Sequence, residues 1–324
     1  MHEPWLPFEV LPSIRRRLRA RRRTPNRDLI SSDVIRAGLM ALSPMLKQVD
    51  VESARTLQGR KGELMAFPYR HSVVRSAPQD LGEFEVCWTQ PARTPRNGAV
   101  LYLHGGGYVT GDFQYMMGFG STLTATLGRR VLSAAYRLAP EHPYPAALDD
   151  AVTSYRHILD KGYDGGEIVL IGESAGGGLV IALALKLRDM GLPLPAGIVA
   201  LSPWTDLALS GASYRENEKN EPSLSMEMVE FCAEAYAGDD RLNPYISPLY
   251  ADFEGFPPCL IIAGGSEMLV DDSTRIAGKM RASGVDVTCH VEPKMWHVYV
   301  MFAGISESRA AMVRISEFVD RVIR

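Results

Sequence analysis

From about residue 65 onward, the chain alternates short apolar runs with stretches of helical periodicity. Such alternation is typical of a mostly parallel sheet covered by helices on both faces. It predicts central strands at 100–104, 131–136, 168–172, 198–202, 259–263 and 285–291, and helices at 145–161, 176–190, 271–283 and 305–323. Two earlier runs, 64–74 and 84–90, are close enough in sequence to pair as an antiparallel hairpin at one edge. The predicted fold class is α/β, with an eight-stranded, mostly parallel sheet flanked by helices.

Residues 1–60 and 205–248 lie outside this alternation. Both segments carry Met and aromatic residues and contain a predicted helix, at 34–46 and 226–237 respectively. A long insertion between the fourth and fifth parallel strands is uncommon in a compact domain and usually has a function. We therefore expect 1–60 and 205–248 to form a two-part helical cap over the carboxyl ends of the strands, with 61–204 and 249–324 as the core.

Composition restricts the class of protein further. With 324 residues, 46% hydrophobic and 23% charged, the chain fits a globular protein with a large core. Its net charge of -3 offers no general attraction to nucleic acid or to a membrane surface, so we expect neither as a partner. The four cysteines include no Cys-x-x-Cys pair, which speaks against a zinc site or a disulfide framework.

An arginine-rich run occupies residues 15–23, and no apolar run of signal-peptide length follows it. We therefore expect a cytoplasmic protein without a membrane span. The basic run could bind anionic lipid or RNA, but arginine is also a good helix former. A solvated helix face is the prediction for this run.

A serine stands at a strand-to-helix turn in the motif Gly172-Glu173-Ser174-Ala175-Gly176. The predicted strand 168–172 precedes it, and a predicted helix follows. A serine hydroxyl must be exposed and deprotonated to act as a nucleophile, and such a sharp turn lifts it out of the sheet. Ser174 is the predicted nucleophile.

A glycine-rich loop, His104-Gly105-Gly106-Gly107-Tyr108, follows the predicted strand 100–104. Three consecutive glycines allow backbone N–H groups to point at a substrate without interference from Cβ atoms. A phosphate-binding loop would continue with Lys and Ser or Thr, and this loop does not. The loop is therefore predicted to stabilise an oxyanion.

Chain order narrows the choice of base and acid, because this fold places the acid and then the histidine after the nucleophile. His290 lies inside a predicted strand, whereas His297 follows that strand on a loop, so His297 is the predicted base. Glu267 is the first carboxylate after the strand 259–263 and is the predicted acid. Asp271 remains an alternative, although Asp271 and Asp272 open a helix, where capping and dipole contacts explain them.

These motifs, together with Tyr136-Arg137-Leu138-Ala139-Pro140, resemble the hormone-sensitive-lipase-like family of bacterial carboxylesterases from about residue 80 onward. The 30-residue spacing from Glu267 to His297 is similar to that family's acid-to-histidine spacing. The chain departs from the commonest pattern in three places: Glu267 replaces Asp, Met268 replaces Pro, and Glu173 precedes the nucleophile.

The resemblance implies a serine carboxylesterase that cleaves short- to medium-chain acyl esters without a cofactor or metal. It implies an oxyanion hole formed by the N–H groups of Gly106, Gly107 and Ala175, with His104, Tyr136 and Arg137 stabilising the loop. It also implies a two-part cap. Aromatic and Met residues are candidates for the substrate pocket, with ordinary core as the alternative: Tyr108, Tyr115, Met116, Trp204, Phe231, Tyr236 and Tyr299.

Other activities remain open for the same triad, namely lactone opening, aryl-formamide cleavage and deacetylation, because the pocket walls decide among them. A non-catalytic ligand-binding protein, such as the plant gibberellin receptors, would lack His297. A true lipase would favour a long apolar lid and export, and neither is evident. The strand at 285–291 is predicted at an exposed edge, where a homodimer could pair.

Overall fold

A single mixed sheet forms the centre of the protein. The computed structural model describes residues 31–46 and 50–323, so the arginine-rich run 15–23 lies outside the described residues. The strands found in these ranges are β1 (Val73–Arg75), β2 (Gln79–Asp80), β3 (Glu85–Pro91), β4 (Ala99–Leu103), β5 (Arg130–Ala135), β6 (Ile168–Glu173), β7 (Gly197–Leu201), β8 (Cys259–Gly264) and β9 (Val287–Glu292). Their order is β1-β3-β5-β4-β6-β7-β8-β9, with β2 beside β3.

Helices cover both faces of this sheet. They are α1 (Ser32–Leu46), α2 (Val51–Ala66), α3 (Phe113–Leu127), α4 (Ala146–Asp160), α5 (Ala175–Asp189), α6 (Ser213–Glu216), α7 (Met226–Ala237), α8 (Val270–Ala282) and α9 (Ser306–Val322). Helices α3 and α9 pack on one face, and α4, α5 and α8 pack on the other. In the described residues, no helix is both long enough and apolar enough to cross a bilayer.

The central strands are apolar throughout because both of their faces are buried. In β4, Leu101 and Leu103 point into one core, while Val100 and Tyr102 point into the other. All five residues of β4 are buried. Each fully buried aliphatic side chain of this kind contributes about 1.5–3 kcal/mol to stability.

The strand order reverses at β4, and this reversal positions the site. Strand β5 pairs in parallel with one side of β4, and β6 pairs in parallel with the other. In open α/β sheets, ligands bind at the carboxyl ends of the strands at such a switch point. The glycine-rich loop follows β4 and the Ser174 turn follows β6, so both lie there.

The predicted α/β fold class is confirmed, and the predicted central strands and four helices correspond to observed elements. The segments 34–46 and 226–237 are helical as predicted, and β9 is at the edge of the sheet. The homodimer stays a prediction. The predicted boundary at residue 60 falls inside α2, and the division into cap and core stays a prediction as well.

Three predictions at the N-terminal side differ from the structure. The sheet has nine strands instead of the predicted eight, because the two-residue strand β2 has no predicted counterpart. The predicted strand 64–74 is wrong at its start, because 64–66 end helix α2 and the edge strand β1 is limited to Val73–Arg75. Helix α3 has no counterpart among the predicted helices. Its residues from Tyr115 to Thr124 are all buried, since α2 covers the side that would otherwise face solvent. A helix buried on all sides lacks the amphipathic period that marks a surface helix.

Helices α2 and α3 approach closely at two glycines. A Cβ atom built on Gly118 would lie 2.6 Å from the carbonyl oxygen of Gly62, and one built on Gly62 would lie 2.2 Å from the carbonyl oxygen of Gln114. Both neighbours are backbone atoms, which cannot rotate away. The packing of α2 on the core therefore requires glycine at these positions.

Gly118→Ala is expected to lower the free energy of unfolding by about 1–3 kcal/mol, because the added methyl group forces the two helices apart. Gly278→Ala, in α8, is the matched control, since a Cβ there meets nothing within 4 Å. The control should raise stability by about 0.5–1 kcal/mol through helix propensity alone. Urea denaturation measures both, and equal effects of the two variants would contradict the close contact.

Candidate active site

Ser174 occupies a strained turn between β6 and α5. Its backbone has φ 56° and ψ -123°, a conformation that residues other than glycine rarely adopt. The flanking glycines permit the turn, since a Cβ on Gly172 would lie 2.1 Å from the carbonyl oxygen of Gly176. The N–H of Ser174 donates to the carbonyl of Leu201, and the N–H of Trp204 donates to the carbonyl of Ser174. Both bonds hold the turn against the end of β7.

His297 contacts the Ser174 hydroxyl directly. The distance from His297 Nε2 to Ser174 Oγ is 2.9 Å, within hydrogen-bond range. On the other side of the ring, His297 Nδ1 lies 3.8 Å from Oε2 of Glu267. That separation is an ion-pair distance, longer than a hydrogen bond, and catalytic contacts of this kind are often long without substrate. The structure therefore brings the predicted nucleophile, base and acid together.

Glu267 is fixed by two donors. Its Oε2 accepts a hydrogen bond from the hydroxyl of Ser202 at 2.7 Å and from the N–H of Gly264 at 3.0 Å. The Ser202 hydroxyl also accepts a bond from the N–H of Val298, next to the histidine. Ser202 therefore links Glu267 to the loop that carries His297. It follows the carboxyl end of β7, a position that could have marked it in the sequence.

The charge state of His297 reflects a balance of burial and nearby carboxylates. Burial lowers the pKa of the imidazole, but the carboxylate of Glu267 opposes it, and those of Glu221 and Glu173 add to that opposition. The net effect is a pKa above the ordinary histidine value. The surroundings of His297 therefore favour its charged, imidazolium form.

Glu221 is a site residue that the sequence motifs did not reveal. It is fully buried, and its Oε2 accepts a hydrogen bond from the backbone N–H of His297 at 3.1 Å. Its Oε1 accepts from the N–H of Ser223. Glu221 belongs to the inserted segment 205–248, where no spacing rule pointed to it. Through this residue the insertion contacts the histidine loop directly.

The glycine-rich loop lies against the Ser174 turn. Gly106 and Gly107 have φ values of +119° and +63°, and a Cβ on Gly106 would lie 2.2 Å from the carbonyl oxygen of Thr110. None of the N–H groups of Gly106, Gly107 and Ala175 donates a hydrogen bond to another described residue. Three backbone donors near Ser174 are therefore available to a ligand.

Glu173 joins the loop to the turn. Its Oε1 accepts a hydrogen bond from the N–H of Gly105 at 2.6 Å and from the hydroxyl of Tyr115 at 3.2 Å. The side chain is fully buried, and burial raises its pKa to about 7 despite the hydrogen bond from Gly105. The residue that departs from the family pattern therefore ties β6 to the loop after β4.

The residues that the resemblance assigned to the loop support it from behind. His104 and Tyr136 stack with ring centroids 4.3 Å apart, and the Tyr136 hydroxyl donates to the carbonyl of His104 at 2.6 Å. Burial lowers the pKa of His104 to about 4, so its ring is neutral near pH 7. Arg137 pairs with Asp150 at 2.7 Å on helix α4.

The alternative acid and base lie elsewhere. Asp271 accepts a hydrogen bond from the N–H of Ser213, and Asp272 accepts from the N–H groups of Thr205 and Asp206. Neither aspartate caps its own helix, so the predicted capping role is wrong, because both side chains bind the insertion; their predicted position in the first turn of α8 is confirmed. His290 pairs with Glu292 on β9, 2.9 Å away. In the described part of the chain, no group of three or more His, Cys, Asp and Glu residues is arranged to hold a metal.

A cavity of about 590 Å³ opens above Ser174 and His297. Tyr115, Trp204 and Phe231 line it, as predicted, but four other candidates do not: Tyr108, Met116, Tyr236 and Tyr299. Tyr108 has φ 64°, and its ring stacks on Tyr236 with centroids 3.8 Å apart. Tyr299 is fully buried in the core beneath α9. The pocket prediction is therefore corrected for these residues, which form core.

The doubly wound sheet and the strained serine beneath a glycine loop define an α/β hydrolase. A family model described as the alpha/beta hydrolase fold matches residues 100–301. An acetyl-hydrolase of Streptomyces hygroscopicus is 42% identical over 213 residues, which cover 65% of this chain and 71% of the relative. An esterase of Acinetobacter venetianus is 34% identical, covering 68% and 73%.

Solved structures narrow the family. The crystal structure of an esterase from the bacterial hormone-sensitive lipase family has a TM-score of 0.84 at 35% identity, covering 91% of this chain and 100% of that one. A hormone-sensitive lipase from a metagenome library has a TM-score of 0.86 at 32% identity, covering 91% and 99%. The chain belongs to the α/β-hydrolase family, among its bacterial hormone-sensitive-lipase-like esterases.

Glu173→Gln tests the buried carboxyl of the loop. The folded-state pKa of Glu173, about 7, exceeds the value of 4.5 for a free side chain, so the folded protein binds this proton more tightly. The free energy of unfolding therefore falls as the pH rises from about 4.5 through 7. Glu173→Gln has no carboxyl at this position to titrate, so its stability does not fall in this way. The difference in the free energy of unfolding between the variant and the parent should therefore increase by about 2–3 kcal/mol from about pH 5 to pH 8, at ~1.36 kcal/mol per pKa unit. Parallel stability curves for the two proteins would contradict the raised pKa.

Proposed function

We propose that the chain is a serine carboxylesterase that hydrolyses short- to medium-chain acyl esters, with Ser174 as nucleophile, His297 as base and Glu267 as acid. The observation that carries the proposal is the 2.9 Å contact from His297 Nε2 to Ser174 Oγ at the strained turn. A serine so placed is activated by its neighbouring base.

The reaction proceeds in two steps. His297 Nε2 takes the Ser174 proton as Oγ attacks the ester carbonyl carbon, and the imidazolium then protonates the departing alkoxide, which leaves as the alcohol. Water next attacks the acyl-enzyme while His297 again acts as base, releasing the carboxylic acid and free Ser174. Glu267 orients the imidazole and stabilises its charged form in both steps.

The oxyanion of each tetrahedral intermediate is bound by the N–H groups of Gly106, Gly107 and Ala175. These donors are fixed before substrate arrives, because the loop is held by Glu173 and by the Tyr136 hydroxyl. Preorganised donors of this kind stabilise charge that develops only in the transition state. Loss of one such donor typically lowers kcat by about 10²–10³.

The cavity supports the proposed chain length. Apolar side chains of α1, α2 and α7 form much of its wall, including Leu39, Leu57 and Val229. A volume of about 590 Å³ is within the usual range of roughly 300–1,000 Å³ for small-molecule sites. The relative named an acetyl-hydrolase favours the short end of the proposed range of acyl chain lengths. An acetyl ester is therefore the first substrate to assay.

Ser174→Ala is expected to lower kcat for p-nitrophenyl acetate by roughly 10³-fold or more, because the nucleophile is lost. Glu267→Gln should lower kcat by roughly 10²–10⁴-fold. Asp271→Asn is the matched control, since this carboxylate contacts Ser213 instead of the histidine. Retained activity in Ser174→Ala sinks the proposal, and a larger loss in Asp271→Asn than in Glu267→Gln reassigns the acid.

The pH dependence of the remaining activity gives an independent check on Glu267. Its carboxylate helps to hold the pKa of His297 above the ordinary histidine value, whereas burial alone would lower that pKa. In Glu267→Gln, the acidic limb of the kcat/KM profile should therefore move to lower pH. A limb that stays in place or moves to higher pH would contradict this coupling.

A further inference from the structure

Lys61 brings a positive charge into the wall of the cavity above Ser174. One face of helix α2 lines that cavity, and each lining residue has another three or four positions away on the same face: Val51, Ala54, Leu57, Gln58 and Lys61. The first three are apolar, as expected for a face that packs against other helices. Lys61 shares the cavity with Ser174 and His297.

The ammonium group of Lys61 has no ionic partner among the described residues. Its Nζ lies 6.0 Å from the centroid of the Tyr115 ring and 5.6 Å from that of Phe302. It forms no hydrogen bond and no ion pair within 4.0 Å to any described residue. Lys61 is only partly buried, but a lysine charge beside apolar side chains is ordinarily paired, because an uncompensated charge is costly there.

Lys61 is not needed to attach its own helix. Arg55, two turns earlier on α2, binds Glu141 through both of its terminal nitrogens and also donates to the carbonyls of Val109 and Ala139. The close contact between Gly62 and Gly118 also fixes the position of α2 against α3. Lys61 therefore projects from an already anchored helix.

Glu173 influences the charge of Lys61 without forming an ion pair with it. The Glu173 carboxylate favours the charged form of Lys61, although burial lowers the pKa of the lysine. That carboxylate is held on its own loop by Gly105 and the Tyr115 hydroxyl. Lys61 thus has two aromatic rings beside it but no hydrogen-bond or ionic partner in the described ranges.

We propose that Lys61 forms a subsite for an anionic group of the ester substrate, such as the free carboxylate of a hemiester. This inference rests on the proposed esterase function of Ser174. An ammonium offers a full charge and three donors, and the apolar surroundings strengthen its attraction to an anion. The substrate class is therefore an ester that carries a carboxylate at the far end of one of its two arms, the acyl chain or the alcohol.

Two substrate pairs test the subsite and show which arm carries the anion. Monoethyl adipate and ethyl heptanoate differ on the acyl side, while ω-acetoxyhexanoate and heptyl acetate differ on the alcohol side. The measured quantity is the ratio of kcat/KM for the anionic and the neutral member of each pair. Lys61→Met should lower this ratio roughly 10-fold or more in one pair, since hydrogen bonds to charged groups are strong. Lys61→Glu should lower it further.

Arg60→Met is the matched control, because it removes one positive charge from the exposed side of the same helix. Its ratio should stay within about twofold of the parent value, as expected for a screened surface charge. Thermal unfolding, together with titration of the reactive serine by diethyl p-nitrophenyl phosphate, corrects every variant for its folded fraction.

Unchanged ratios in both pairs for Lys61→Met and Lys61→Glu would overturn the subsite. So would an equal fall in Arg60→Met, because the effect would then be a general surface field. Failure of the esterase proposal has a different signature, namely hydrolysis of the neutral esters that survives Ser174→Ala. The two outcomes are therefore distinguishable in the same set of assays.

Discussion

The backbone of Ser174 has φ 56° and ψ -123°, and a non-glycine residue held in such a region costs of order 1–3 kcal/mol. The surrounding sheet offsets this cost. Strand β6 is buried along its whole length, α5 begins at the next residue, and the end of β7 binds the turn through Leu201 and Trp204. Because the parallel register fixes β4 beside β6, the glycine-rich loop is brought against the same turn. The pairing of β4 with β6 therefore positions both the Ser174 hydroxyl and the backbone N–H groups of the glycine-rich loop.

Three buried carboxylates then act on one imidazole. Glu267, Glu221 and Glu173 come from three different parts of the chain, and each is held by backbone N–H or hydroxyl donors. Burying carboxylates is unfavourable unless such donors compensate it, and that compensation fixes their positions. Together they outweigh the effect of burial on the pKa of His297. The inserted segment takes part in this arrangement through Glu221, so it contributes to the histidine environment as well as to the cavity wall.

The sequence predicted the parts of this site that are marked by chain order and by backbone constraints. Ser174, Glu267 and His297 each follow a strand, and the parallel topology brings the ends of those strands together. It did not reveal Glu221 or Lys61, because these residues lie on segments whose position depends on packing rather than on strand order. Helix α3 was missed for a related reason, since its cover by α2 removes the amphipathic pattern. Tyr108 was misplaced because its left-handed backbone turns the ring onto Tyr236, which sequence spacing does not show.

The central claim is that Ser174 is a nucleophile activated by His297, and covalent trapping tests it most directly. Diethyl p-nitrophenyl phosphate is attacked by an activated serine, which displaces p-nitrophenolate and keeps the diethyl phosphoryl group. Mass spectrometry of the digested protein should find one such group per chain, on Ser174, and His297→Asn should slow the release of p-nitrophenolate by roughly 10²-fold or more. A label on any other residue, or an equal rate in His297→Asn, would contradict the account.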